Sequence, residues 1–199
     1  MTRPRHPDGY KGTMALSRRM GASALAGVIV VTVLAAACTP IEQVDFANFT
    51  YAPDACGPVI DIPPEDGYDV VDGGVRHGDP SQADFYSVTV RPDVIAGDLT
   101  GDGRAEAALI LDCSTGNRPL PVGRVMTTTA SGTVALAPVP DPPLPAGARR
   151  VALASLDIDD GTLIATWVVL EADDPACCPT GRLTTAHRWD GDRFDTSVP

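Results

Sequence analysis

The sequence contains little positive charge and few aromatic side chains. Lysine occurs once, at position 11, and the 199 residues include four Phe, four Tyr and two Trp. Five of the 15 basic residues precede Cys38, so the chain from Cys38 onward carries 10 Arg against 25 acidic residues, a net charge of −15. Because nucleic-acid phosphates are bound by clustered Lys and Arg, this balance argues against a nucleic-acid-binding protein. The length fits one domain preceded by a targeting segment.

Sequence motifs of common enzymes are missing as well. The chain has no G-x-S-x-G, P-loop, H-E-x-x-H or dinucleotide-binding glycine pattern. His77 lies in an expected loop without a partnered nucleophile, so we interpret it as a surface residue, and we interpret His187 as a half-buried packing residue. A zinc site that combines these histidines with cysteines is a rival interpretation, although no C-x₂-C pair is present. The sequence therefore indicates no catalytic residue.

The first 37 residues have the features of a secretory signal. Basic residues up to Arg19 are followed by 18 residues without a charge, and small residues precede Cys38. The segment Leu34-Ala35-Ala36-Ala37-Cys38 resembles a bacterial lipobox, in which the Cys thiol receives a diacylglycerol before cleavage. We therefore predict a signal peptide over residues 1–37, fatty acylation of Cys38, and anchoring of the mature chain on the outer face of the cytoplasmic membrane.

Two alternatives for this N-terminal segment remain open. The apolar run could stay uncleaved as a membrane anchor, although about 20 apolar residues are needed to span a bilayer. Met14 also begins a compact signal of its own, which makes residues 1–13 a candidate mis-assigned start.

Four further cysteines, Cys56, Cys113, Cys177 and Cys178, predict two disulfides, since an even number of cysteines in an oxidising compartment is typical of a disulfide framework. Of the three possible pairings, the one that joins the neighbours Cys177 and Cys178 demands a strained ring. The other two pairings each send Cys56 and Cys113 to the Cys177–Cys178 corner, and we favour them. Long closed loops of this kind would each contribute roughly 3 to 5 kcal/mol.

The chain after the signal divides into a lipid tether with an arm, residues 38–52, and a single β-rich domain, residues 53–199. Phe46, Phe49 and Tyr51 are expected to dock on the core as an edge strand or irregular arm. No window combines a 3.6-residue apolar period with helix caps, whereas Asp-Gly pairs recur beside runs rich in Val, Leu, Ile and Thr, a strong hairpin signal. We predict a mainly β fold, an antiparallel sheet or sandwich with hairpins and little helix. The candidate strands are residues 68–71, 85–90, 105–112, 123–129, 133–137, 150–157, 162–171, 183–189 and 193–196.

Two of these candidate strands permit finer predictions. Side chains alternate along a strand, so Leu183, Thr185, His187 and Trp189 should share one face. Residues 162–171 are nearly continuously apolar, which predicts a central strand that is buried on both faces.

The most distinctive stretch is a loop rich in aspartate and glycine. Oxygen-bearing side chains fall at Asp98, Thr100 and Asp102, followed by a glycine that permits a sharp turn, the Arg104 carbonyl and the Glu106 carboxylate. Such a loop could wrap Ca²⁺ in six or seven oxygens, with Thr100 lowering the ligand charge. The alternative is a tight turn whose Asp side chains accept hydrogen bonds from backbone N–H groups. Calcium-dependent thermal stabilisation would separate the two interpretations.

The spacing of this loop resembles the Asp-rich loops of FG-GAP and VCBS-type β repeats, where a turn leads directly into a strand. Together with residues 45–53 and with Cys177-Cys178-Pro179 leading to Trp189-Asp190-Gly191, it is similar to a group of secreted bacterial proteins. Many of these are actinobacterial lipoproteins, and the LppP/LprE type is a looser relative. The resemblance covers most of the mature chain through short motifs. It implies location and build, and it implies no activity, cofactor or catalytic residue.

Two classes of function follow from these observations. The first is a non-catalytic cell-envelope lipoprotein whose acidic β domain binds a protein, a glycan or a small ligand near the membrane. The alternative is an envelope hydrolase or carbohydrate-active enzyme that uses carboxylates such as Asp98, Asp102 or Glu106. Carboxylates that converge in a deep cleft would favour the enzyme, whereas aspartates turned into a turn or an ion would favour the binding protein.

Overall fold

The part of the chain that the structure describes is built almost entirely from β-strands. The computed structural model describes residues 39–61, 63–116, 118–144, 146–148 and 150–199, so the predicted signal peptide and Cys38 lie outside it. Two short 3₁₀ helices, Ile41–Gln43 and Pro53–Val59, accompany the strands, and neither is long and apolar enough to cross a membrane. The strands are β1 (Phe49–Tyr51), β2 (Tyr68–Val70), β3 (Gly74–His77), β4 (Tyr86–Val90), β5 (Ile95–Gly97), β6 (Glu106–Ser114), β7 (Leu120–Thr129), β8 (Gly132–Pro138), β9 (Arg150–Asp159), β10 (Thr162–Leu170), β11 (Gly181–Trp189) and β12 (Phe194–Ser197).

The strands form antiparallel sheets, which confirms the mainly β fold predicted from the sequence. The larger sheet has the order β3-β4-β6-β7-β8, and β5 pairs with the first residues of β6. The smaller sheet has the order β12-β11-β10-β9, and β1 pairs with β2 in a two-stranded ribbon. Asp72 and Asp160 adopt positive φ values of 51° and 45° in the tight turns between β2 and β3 and between β9 and β10. Tight hairpin turns require this conformation, which Asp-Gly pairs adopt readily.

The sheets stack into three layers. One face of the six-stranded sheet packs against the four-stranded sheet, in a core that includes Ile110, Val125, Leu163 and Trp167. Its other face packs against residues 39–61 and β2, which together we call the arm layer. The six-stranded sheet is therefore the middle layer.

Strand β6 lies at the centre of this arrangement and is buried on both faces. Leu109 and Leu111 face the arm layer, while Ala108 and Ile110 face the four-stranded sheet. We had expected this position for β10. That strand is central in its own sheet and buries Leu163, Ala165, Trp167 and Val169, but the side chains between them are only half-buried. The expectation for β10 is therefore wrong on its second face, because no layer formed by the described residues covers that side.

The alternation predicted for β11 is confirmed. Thr185 and His187 are fully buried on the face that also carries Leu183 and Trp189, and Arg182, Thr184 and Arg188 are exposed. The arm also docks as predicted, since β1 pairs with β2 and the side chains of Phe46 and Tyr51 are buried.

Two disulfides are present, but the pairing predicted from the sequence is wrong. Cys56 is bonded to Cys113, and Cys177 is bonded to its neighbour Cys178. The cause is the layering: Cys113 of β6 and Cys56 of the arm layer share one core, whereas the loop of Cys177 and Cys178 joins β10 to β11 in the four-stranded sheet. The Cys56–Cys113 bond therefore lies on the arm-layer face of the middle sheet, and the Cys177–Cys178 bond lies in a loop of the four-stranded sheet.

Candidate functional site

The aspartate loop connects β5 to β6. Gly97, the last residue of β5, pairs with Glu106, the first residue of β6, so the intervening residues form a closed loop at one end of the middle sheet. The register that pairs Ala107 with Met126 places the end of β7 beside the same loop. All five residues predicted as calcium ligands belong to this loop or to its closing residue.

The Asp98 carboxylate is directed into the loop. One of its oxygens accepts a hydrogen bond from the backbone N–H of Gly101 at 2.7 Å, and the other accepts one from the N–H of Gly103 at 2.9 Å. Asp102 accepts a hydrogen bond from the N–H of Arg104 at 2.8 Å. Gly101 and Gly103 have φ values of +77° and +83°, a conformation that glycine adopts without strain. These hydrogen bonds match the interpretation of the loop as a tight turn, in which Asp side chains accept hydrogen bonds from backbone N–H groups.

The Glu106 carboxylate is buried beneath the loop, with a side chain that is 1% exposed. It accepts hydrogen bonds from the backbone N–H groups of Leu99 and Thr100, at 2.9 and 3.2 Å. The hydroxyl groups of Thr100 and Thr127 donate to its other oxygen, both at 3.4 Å. A buried carboxylate requires hydrogen-bond donors. Through its contact with the Thr127 hydroxyl, Glu106 connects the loop to β7. Sequence reasoning assigned Glu106 to a ligand set and missed this structural role.

The loop carboxylates do not form a shared cage among the described residues. No group of three or more His, Cys, Asp or Glu side chains there is arranged to hold a metal ion. Asp98 and Glu106 accept hydrogen bonds from different backbone N–H groups, and the hydrolase alternative stays a prediction. Calcium binding by Asp98, Thr100, Asp102, Arg104 and Glu106 stays a prediction.

The two histidines play different structural roles. His77 ends β3 with an exposed side chain, stacks on Tyr86 and lies 3.8 Å from Asp84. His187 is fully buried, rather than half-buried as expected. Its ring nitrogens contact the hydroxyl groups of Thr185 at 2.8 Å and Thr196 at 3.0 Å. Burial lowers the pKa of His187, which therefore favours the neutral imidazole.

A groove with a volume of about 550 Å³ opens between the arm layer and the middle sheet. Three segments that are distant in sequence form it: the first residues of the arm layer, the turn between β2 and β3, and the connection from β4 to β5 with the start of β6. Its lining residues are Ile41, Glu42, Val44, Asp45, Phe46, Ala47, Asp72, Gly73, Val90, Arg91, Pro92, Val94, Ala96 and Ala107. This size suits a small organic ligand.

Hydrogen bonds fix one rim of the groove. The backbone N–H of Gly73 donates to the carbonyl of Ala47 at 2.8 Å, and the N–H of Val90 donates to the carbonyl of Gly73 at 2.9 Å. Gly73 thereby joins the arm layer to β4. The Tyr51 hydroxyl donates to the Phe46 carbonyl at 2.8 Å and thereby links two residues of the arm that are five positions apart. Burial, with a contribution from nearby Asp45, raises the pKa of Tyr51, so this phenol stays protonated.

The groove combines apolar walls with negative charge. Glu42, Asp45 and Asp72 are the acidic residues of the lining, and Arg91 is the basic one. The Arg91 guanidinium is bound to both oxygens of Asp112, at 2.8 and 2.9 Å, and to the carbonyl of Ala154. Because Asp112 neutralises Arg91, the lining of the groove carries a net negative charge.

A deeply placed arginine holds the other end of the arm layer. Arg124 of β7 is 6% exposed, and its guanidinium donates to the backbone carbonyls of Asp54 and Ala55 in the second 3₁₀ helix. Burial lowers the pKa of Arg124, and nearby Asp54 opposes that effect. The sequence offered no signal for this contact, since Arg124 lies within a run that predicts only a strand.

The vicinal pair Cys177–Cys178 lies in an exposed loop beside a smaller pocket of about 170 Å³. Ala176 and Pro179, on either side of the pair, line this pocket together with Leu120 and Leu170. Asp174 fixes the loop, because its carboxylate accepts hydrogen bonds from Thr180 and from the N–H of Glu171. These hydrogen bonds lower the pKa of Asp174.

Comparison with known proteins adds no assignment: no protein-family model, no curated protein and no solved structure matches this chain.

Proposed function

We propose that the chain is a lipid-anchored binding protein of the cell envelope, without catalytic activity, held on the outer face of the cytoplasmic membrane through Cys38. The groove between the arm layer and the middle sheet is its ligand site. The observation that carries this proposal is the groove of about 550 Å³, whose wall begins at Ile41, three residues after Cys38.

The chemistry of the lining defines the ligand class. Val44, Pro92 and Val94 offer accessible apolar contact, and Glu42 and Asp72 add negative charge. The one basic residue of the lining, Arg91, is neutralised by Asp112. A small amphipathic ligand with a positively charged group fits this combination, because apolar burial supplies affinity and charge complementarity selects the partner.

The sequence supports the membrane anchor independently of the groove. The lipobox-like segment ends at Cys38, and the two disulfides suit an oxidising compartment outside the cytosol. Replacement of Cys38 by Ser tests the anchor: we expect loss of acyl labelling and accumulation of the unprocessed precursor. Labelling that persists in Cys38→Ser would contradict the assignment.

The ligand class is tested with two probes of equal chain length and opposite charge, octylammonium and octyl sulfate, both below their micellar concentrations. We expect the protein to bind octylammonium in a calorimetric titration and to bind octyl sulfate more weakly. Ala96→Trp places a large side chain in the groove from an exposed position and should abolish binding, whereas Ala135→Trp, on the exposed edge strand β8, should not. Equal binding of octylammonium by both variants would exclude the groove as the site.

A further inference from the structure

The tip of the β7–β8 hairpin lies at the point where the described chain begins. A shallow recess of about 280 Å³ is lined by Thr39 and by residues 128–133 of this hairpin. Thr39 is the residue after Cys38. The position that is acylated in the proposed function therefore immediately precedes a residue that lines this recess.

The tether between the anchor and the folded body is very short. Ile41 is 2% exposed and packs in the core between the arm layer and the middle sheet. Only Thr39 and Pro40 separate it from Cys38, and three residue steps span at most about 11 Å even when fully extended. The sequence predicts a tether and arm over residues 38–52, and within that range Ile41 is the first residue with a side chain in the core. An acyl group on Cys38 would thus hold the body directly against the bilayer.

The hairpin also differs from the rest of the chain in charge. Residues 126–140 include no charged side chain, although the chain from Cys38 onward carries 25 acidic residues. The neighbouring loops at this end of the sheet carry exposed acidic residues, Asp102 in the aspartate loop and Asp159 and Asp160 in the β9–β10 turn, so the neutral patch is confined to the hairpin. A neutral surface approaches lipid headgroups without the repulsion that an acidic surface would meet at anionic lipids.

The hairpin tip carries hydroxyl groups that suit a headgroup layer. Thr128, Thr129, Ser131 and Thr133 line the recess, and the hydroxyl groups of Thr129 and Ser131 contact each other at 2.8 Å. A hydroxyl group both donates and accepts hydrogen bonds, so it can pair with the phosphate and ester oxygens of a phospholipid.

We infer that residues 128–133 are the membrane-contacting surface of the acylated protein and rest on phospholipid headgroups. This inference depends on the proposed lipid anchor at Cys38, because the anchor brings the hairpin to the membrane. The occupant is the bilayer surface rather than a second copy of the chain, since Thr39, which follows the proposed lipid anchor, lines the recess.

The test uses the acylated full-length protein in phosphatidylcholine vesicles that contain brominated lipids, which quench tryptophan fluorescence on close approach. Ser131→Trp places the probe at the hairpin tip. Gly116→Trp places it in the exposed connection between β6 and β7, at the opposite end of the middle sheet, and serves as the control. We expect quenching above the wild-type background for Ser131→Trp and none for Gly116→Trp.

Hydrogen exchange of the unsubstituted protein provides a second measurement that needs no variant. Amide exchange over residues 128–133 should be slower on phospholipid vesicles than for the same acylated protein in detergent micelles, while exchange over residues 114–116 should not change. Mass spectrometry of the N-terminal peptide shows whether the protein is acylated, and so distinguishes failure of this inference from failure of the proposed anchor. Acylated protein with an unquenched, unprotected hairpin would overturn this inference alone, whereas an unacylated mature protein would overturn the proposed anchor and this inference with it.

Discussion

Asp98 organises the aspartate loop through the two oxygens of one carboxylate. Each oxygen accepts a backbone N–H group, from Gly101 and Gly103, and the neighbouring Glu106 carboxylate accepts two more. Backbone donors at this end of the sheet are therefore satisfied by acidic side chains. Sequence reasoning identified the residues of this loop correctly and left their chemistry open, because the same Asp-x-Thr-x-Asp-Gly spacing serves a turn as well as a cation.

The first prediction separates those two roles. Asp98→Ala removes two charge-assisted hydrogen bonds and should lower the free energy of unfolding by about 1–3 kcal/mol. Asp141→Ala, an exposed aspartate in the proline-rich loop, removes the same charge and should have little effect. Thermal unfolding is measured in EDTA and in millimolar calcium. A turn predicts the same loss in both, whereas a calcium-dependent rise in the Tm of the wild type that Asp98→Ala abolishes would establish the cation site.

The second prediction concerns pH and His187. Because burial lowers the pKa of His187, the unfolded state binds a proton more readily than the folded state. The free energy of unfolding should therefore fall as pH drops below the ordinary His pKa of about 6.5, by at most about 1.4 kcal/mol per pH unit. Urea unfolding between about pH 5.5 and 7.5, which spans about one unit on either side of that value, measures this slope.

Two variants assign the slope to one histidine. His187→Gln keeps a neutral hydrogen-bonding side chain and should remove most of the pH dependence in this window. His77→Gln, which replaces an exposed histidine, is the comparison variant for the loss of one imidazole. An unchanged slope in His187→Gln would show that another group is responsible.

At the scale of elements, the two disulfides should contribute unequally to the stability of the fold. Cys56–Cys113 joins the arm layer to β6 across 57 residues, whereas Cys177–Cys178 joins neighbours. In the chain-entropy model, closing a loop of that length contributes about 4 kcal/mol. A bond between neighbours restricts the unfolded chain very little by comparison.

The third prediction follows from this difference. The double variant Cys56→Ala/Cys113→Ala should lose about 2–5 kcal/mol of stability, and Cys177→Ala/Cys178→Ala should lose much less. The midpoints of urea unfolding provide the comparison. Similar losses in the two double variants would mean that the vicinal pair supports the fold through its own loop.

Element prediction from sequence succeeded where a pattern is local. The Asp-Gly pair at Asp160 marks the turn between β9 and β10, and the alternation along β11 identified its buried face. Strands β3 and β5 were missed, since they contain four and three residues and exist only through pairing with β4 and β6. The cysteine pairing failed for a similar reason, because it depends on which layer each segment joins.

At the scale of the whole molecule, Gly123 allows the middle sheet and the four-stranded sheet to pack closely. A Cβ atom on Gly123 of β7 would lie 2.6 Å from a Val139 methyl and 2.8 Å from a Leu153 methyl. Leu153 belongs to β9 in the facing sheet, so the two sheets meet closely at this position. The groove lies on the opposite face of the middle sheet, and no sequence pattern could reveal it, since its walls come from three distant segments.

The fourth prediction tests that close approach. Gly123→Ala forces Val139 or Leu153 to move and should destabilise the protein by about 1–3 kcal/mol. Gly116→Ala is the matched control, since nothing lies within 4 Å of its added Cβ. Equal thermal unfolding midpoints for the two variants would show that the layers can separate locally without cost.

The bond between Cys56 and Cys113 also determines what proteolysis could release. Exposed residues such as Glu65 and Asp66 lie between these cysteines, where an extracellular protease could nick the chain. Both fragments would then stay covalently joined, because this disulfide would connect the N-terminal fragment to the packed sheets. Such a nicked molecule would run as two bands on a denaturing gel only after reduction, so release of either fragment would require a reductant as well as a cut.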